Sequence, residues 1–296
     1  MHTRFLAVLL LLGVAAATFA QAPASTPAGA STSASASAST ARDASLPPPE
    51  DQAKAVLEKS PRHGEYIDVK MSSSPVSIRT WVSYPERKDK AGVVIVIQEV
   101  FGLTDWLRSV ADQLAREGFI AVAPDMISGL GPNGGGTESV ASRDDAVAIT
   151  HGLTPEEANR RLNSVRLWAL GLAAGNGKVA TVGFCWGGAR SFAFAAAQPA
   201  LDAAVVYYGA SPETGDLGRI KAPVEGHYGG DDARVDATIP AAEAEMKRLG
   251  KTYHPHIYEG AGHGFLRDQA GRDGANLRAA RQAWPATVAF LKERLK

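Results

Sequence analysis

The chain has 296 residues, 45% of them hydrophobic and 21% charged, with 31 basic residues against 31 acidic ones. That balance argues against a nucleic-acid or membrane-surface partner, since both call for a basic face. A single cysteine excludes an internal disulfide. Residues 1–22 read as a secretory leader. Arg4 opens it, the apolar run 5–17 is too short for a membrane span, and Ala20-Gln21-Ala22 is a small-residue cleavage site. Residues 23–46 hold almost nothing but Ala, Ser, Thr, Gly and Pro, a composition with nothing large to bury, and read as a flexible linker. We therefore expect an exported protein, periplasmic or secreted, with no membrane attachment after cleavage. The rest, residues 47–296, suits one domain. Losing Arg4, Arg42 and Asp43 leaves its charge close to balanced.

Short, largely β-branched runs predict strands at 66–70, 78–84, 93–98, 120–123, 179–182, 204–208, 224–228 and 256–258. From residue 93 onward these runs are almost wholly apolar, as in parallel strands covered on both faces. Trp106, Leu107, Val110 and Leu114 share one face of a helix that Thr104 caps and Gly118 ends. Thr154, Pro155 and Glu157 open another as a capping box, and it should run to about residue 174. Further helices are expected at 237–249 and 277–295, the latter broken or kinked at Pro285. Alternating strands and helices after an early antiparallel pair define an α/β class, a mostly parallel sheet with helices on both faces. The glycine-rich stretch 129–136 lacks the Gly-Lys-Ser/Thr ending of a phosphate loop and opens no helix; it reads as a mobile loop.

The most informative stretch is 179–190. An apolar strand runs into Gly183-Phe184-Cys185-Trp186-Gly187-Gly188, and a small-residue helix follows at once. This is the strand–turn–helix of a nucleophile elbow, with cysteine at the nucleophile position. A side chain at Gly183 or Gly187 would clash with the turn, and the following helix aims its free N–H groups at the sulfur. A cysteine nucleophile needs a base, and the base needs an orienting acid. Asp231 and Asp232 follow a strand at Gly229-Gly230, and His263 lies in Gly260-Ala261-Gly262-His263-Gly264 after another. Both stand at carboxyl ends of strands, where open parallel sheets build their sites. An α/β-hydrolase fold follows from that order of nucleophile, acid and histidine.

The chain resembles the dienelactone hydrolase family, carboxymethylenebutenolidase-like α/β-hydrolases with a Cys-His-Asp triad. The resemblance rests on Gln98-Glu99-Val100-Phe101-Gly102, Ala123-Pro124-Asp125, the Gly183–Gly188 elbow, Gly229-Gly230-Asp231-Asp232 and His263-Gly264-Phe265. It implies that Asp232 is the acid and that Glu99 accepts the thiol proton when substrate arrives. It further implies an oxyanion hole from the backbone N–H groups of Val100 and Trp186. Arg267 is implied as a grip on a substrate carboxylate, with a second arginine near Arg160 or Arg161. The expected activity is hydrolysis of a small ester or lactone, dienelactone-like and carboxylate-bearing, through an acyl-enzyme on Cys185. No cofactor or metal is implied, and a monomer is expected. The competing expectations are a broader carboxylesterase on the same triad and a non-catalytic, redox-sensing binding protein that uses Cys185.

Overall fold

The computed structural model describes residues 42–72 and 74–296, so the expected leader and the linker up to residue 41 lie outside the described residues. In chain order the elements are α1 (Glu50–Glu58), β1 (Gly64–Lys70), β2 (Ser77–Ser83), β3 (Ala91–Ile97), α2 (Asp105–Arg116), β4 (Ile120–Pro124), α3 (Arg143–Gly152), α4 (Pro155–Leu170), β5 (Gly175–Phe184), α5 (Trp186–Ala197), β6 (Ala203–Tyr207), β7 (Val224–Gly229), α6 (Ala233–Asp236), α7 (Ile239–Arg248), β8 (Tyr253–Tyr258) and α8 (Ala275–Arg294). The strands form one sheet in the order β1-β2-β4-β3-β5-β6-β7-β8. β1 and β2 run antiparallel, as does β2 against β4, and every other pairing is parallel.

Alternation along the buried strands feeds two cores. Val94, Val96, Val182 and Val205 face α2 and α8, with Ala53 of α1 in the same cluster. Val93, Ile95, Val179 and Val206 face α4, α5 and α7. A strand covered on both faces must be apolar at every position, and β3, β4 and β6 are buried along their whole length. Thr104 and Thr154 cap α2 and α4, their hydroxyls accepting from the N–H groups of Leu107 and Glu157.

Two expectations are corrected. α8 runs unbroken through Pro285, because Ala283, Trp284, Thr287 and Val288 on either side are buried and hold the helix across the lost hydrogen bond. The packed chain begins ahead of residue 47: Leu46 is buried, and the Pro47 and Pro48 carbonyls accept from Gln269 Nε2 and Trp106 Nε1. Just past the glycine-rich stretch, the N–H and hydroxyl of Thr137 both donate to Asp125. Three helices, α1, α3 and the short α6, have no counterpart in the sequence reading.

The elbow joins β5 to α5 at the centre of the sheet. A Cβ built on Gly183 would lie 1.9 Å from the Gly187 carbonyl oxygen, and one on Gly187 would lie 2.3 Å from that of Gln98. Gly183→Ala should therefore lower stability by about 1–3 kcal/mol or more. Gly152→Ala, in open space at the exposed end of α3, should be neutral or stabilise by up to about 1 kcal/mol. Urea titration of both variants checks the contrast, and equal effects would refute it.

Candidate active site

Cys185 sits between β5 and α5 with φ 55° and ψ −115°, a backbone region that non-glycine residues rarely occupy. The turn is anchored on both sides. The Cys185 N–H donates to the Tyr207 carbonyl at 3.0 Å, and the Cys185 carbonyl accepts from Ala189 N–H at 3.1 Å. The Trp186 N–H, first in α5, points at the sulfur. Among the described residues the Val100 N–H has no acceptor. The two amides expected to form an oxyanion hole are thus uncommitted to other backbone groups.

Asp232 follows β7 and His263 lies in the loop between β8 and α8. Their side chains meet, Nδ1 to Oδ2, at 2.5 Å. Asp232 is buried, while the His263 side chain is one-third exposed. Asp231 is exposed and pairs instead with Arg272 at 3.0 Å. Of the two neighbouring aspartates, only Asp232 reaches the imidazole. No hydrogen bond links the Cys185 sulfur to His263 among the described residues; such contacts commonly tighten only when substrate binds.

Glu99 is 5% exposed. Burial pushes its carboxyl up to about 7, with the charge of Arg267 pulling the other way. The Cys185 thiol is pushed up to about 11, first by burial and then by the Glu99 charge, so it stays protonated at neutral pH. Arg267 Nε lies 3.0 Å from Glu99 Oε2, and its Nη1 reaches Glu50 Oε2 at 2.5 Å.

The structure departs from the sequence reading over the second arginine. Arg160 is a surface residue paired with Glu157. Arg161 is buried, and its guanidinium holds the carbonyls of Met126 and Ser128. Neither takes part in the site: on α4, Arg160 is turned to solvent and Arg161 is committed to the loop after β4. Arg143, the first residue of α3, comes there instead. It lies 3.0 Å from Glu50 Oε1 and stacks on Phe101 at 3.6 Å from the ring centroid. Sequence reasoning also missed Tyr208. It has φ 39° and is fully buried, its hydroxyl has no partner among the described residues, and its ring is 5.1 Å from that of His263. Its adjacency to Gly209 after an apolar strand was the one available signal.

An eight-stranded, mostly parallel sheet with a nucleophile elbow and an Asp–His pair at its strand ends defines an α/β-hydrolase. The chain belongs to the dienelactone hydrolase family, which matches residues 78–295, and it is a carboxylic ester hydrolase of the carboxymethylenebutenolidase type. It is 32% identical over 186 residues to a carboxymethylenebutenolidase of Pseudomonas putida, covering 61% of this chain and 77% of that one. A dienelactone-hydrolase-like promiscuous phosphotriesterase from metagenomic libraries superposes with a TM-score of 0.66 at 26% identity, covering 79% of this chain and 99% of that one. The dienelactone hydrolase of Anabaena variabilis shares the fold, with a TM-score of 0.60 at 18% identity over 79% of this chain and 99% of that one.

A protonated resting thiol has a direct readout, since Cys185 is the only cysteine. Its alkylation by iodoacetamide should be slow at neutral pH and rise about tenfold per unit as pH climbs toward the thiol's own value. Glu99→Gln removes the charge that holds the proton on, so the alkylation profile should move to lower pH. A fast, pH-independent reaction in the wild type would contradict the burial argument.

Proposed function

We propose that the protein hydrolyses a small, carboxylate-bearing ester or lactone through a thioester on Cys185. The hydrogen-bonded Asp232–His263 pair, set at the same sheet end as a positive-φ cysteine, is the observation that carries this reading. A substrate carboxylate competes for the guanidinium of Arg267. As Arg267 turns to it, Glu99 loses the charge that lowers its pKa and becomes the stronger base. The thiol proton passes to Glu99, and sulfur attacks the carbonyl carbon. The oxyanion is met by the N–H groups of Val100 and Trp186. The C–O bond then breaks, and the leaving oxygen takes up the proton that Glu99 received. His263, held in one tautomer by Asp232, removes a proton from water; the resulting hydroxide cleaves the thioester and returns the thiol.

Steady-state kinetics on a carboxylated lactone and its neutral methyl ester test this reading. Cys185→Ala should abolish turnover. His263→Ala and Asp232→Asn should each lose at least about a hundredfold, and Asp231→Asn far less. Arg267→Ala should cut kcat/KM for the acid about tenfold to a hundredfold more than for the ester. Retained turnover in Cys185→Ala would end the thioester mechanism, and equal losses on both substrates in Arg267→Ala would end the carboxylate reading.

We further propose export with removal of the leader, on the strength of the Arg4 start, the short apolar run and Ala20-Gln21-Ala22. Mass spectrometry of natively expressed protein should find a chain beginning near Gln21 or Pro23. Intact residues 1–20 would refute it.

A further inference from the structure

The anion grip is already occupied by the chain itself. Glu50, first residue of α1, places Oε2 at 2.5 Å from Arg267 Nη1 and Oε1 at 3.0 Å from Arg143 Nη1. Its own N–H donates to the Arg267 carbonyl at 3.1 Å, so the backbone is pinned where the side chain must reach. The pinning extends upstream. Pro47 and Pro48 are held through their carbonyls by Gln269 and Trp106, Gln113 Nε2 donates to the Ser45 carbonyl at 3.1 Å, and Leu46 is buried. All of these strap residues precede residue 78, where the match to the family begins. The carboxylate in the grip is thus supplied from outside the segment that the family model matches.

Glu50 also has somewhere to go. It lines a cavity of about 550 Å³ that contains His263 and Arg267, and a second of about 540 Å³ that contains Lys54, Arg79 and Arg108. Lys54 lies four residues on in α1, one helical turn away, where an i,i+4 ion pair forms without moving the backbone. The Glu50 side chain is 34% exposed, so its rotation meets little packing.

We propose that Glu50 is a built-in competitor for the Arg143–Arg267 site, displaced by the carboxylate of an incoming substrate, and that it sets the preference between charged and neutral substrates. A ligand with a single weak charge cannot displace it, whereas one whose carboxylate engages both guanidiniums can. A neutral ester has no such contest. This inference rests on the reading that Arg267 receives a substrate carboxylate.

The test uses the whole protein with wild type, Glu50→Gln, Glu50→Ala and Arg267→Ala. The substrates are the carboxylated lactone and its methyl ester, and benzoate serves as a non-reacting carboxylate probe. Both Glu50 variants should lower KM for the acid relative to the ester by about tenfold. Benzoate should bind them about tenfold more tightly by calorimetry, with melting curves confirming that each variant is folded. An unchanged or reversed acid-to-ester preference in folded Glu50 variants, with Arg267→Ala still selective against the acid, overturns the competitor role alone. Equal losses on both substrates in Arg267→Ala overturn instead the carboxylate reading beneath it. A melted Glu50→Ala leaves the decision to Glu50→Gln, which keeps the side chain's length and removes only its charge.

Discussion

Cys185 is held in a backbone conformation that costs of the order of 1–3 kcal/mol, and the centre of the fold is arranged to prevent its relaxation. Its strand is clamped between β3 and β6, its N–H and C=O are both committed, and Gly183 and Gly187 let backbone approach backbone where no side chain fits. Phe184, just before it, is wedged between Trp106 and Tyr207, with ring centroids 5.0 Å away in each case. Relaxing the turn would break strand pairing and open a packed aromatic cluster together. What the strain achieves is placement. The sulfur projects from the sheet end with the first N–H of α5 turned toward it.

Around that fixed point lies a row of alternating charges, Glu99, Arg267, Glu50 and Arg143. Each inner member serves two neighbours, so none moves without changing the others. Burial alone would leave Glu99 neutral far above the usual carboxylate range, and Arg267 restrains that shift. Its guanidinium in turn is held more firmly protonated by Glu99 and Glu50, despite its own burial. Contacts made at the mouth of the site are therefore felt at the sulfur through pairwise electrostatics, with no change of fold required.

The central strands were legible because strands buried on both faces must be apolar at every position. The elbow was legible because glycine is demanded there by contact with backbone, and the His263 turn because Gly260 and Gly264 take positive φ. α1 and α3 were not, for the same physical reason in reverse: only Ala53 of α1 and only Ala146 and Thr150 of α3 are buried, too little to print a helical period. Glu50 and Arg143 sit on those two helices, so the unread elements carried the unread half of the site. Arg161 illustrates the opposite error. Its position along the chain suited a binding arginine, but its side chain turns inward to satisfy two loop carbonyls, a choice made by tertiary packing. Pro285 is similar, its local preference outweighed by the buried residues that flank it.

The proton that burial and Glu99 keep on Cys185 has a consequence for how such an enzyme ages. Oxidants attack the thiolate and not the thiol. If the thiol ionises only while a ligand draws Arg267 aside, as proposed, it is vulnerable only during that interval. On the proposed mechanism, idle protein exposed to an oxidant would keep its activity and busy protein would lose it in proportion to the work done, so that its lifetime would be counted in turnovers rather than in hours.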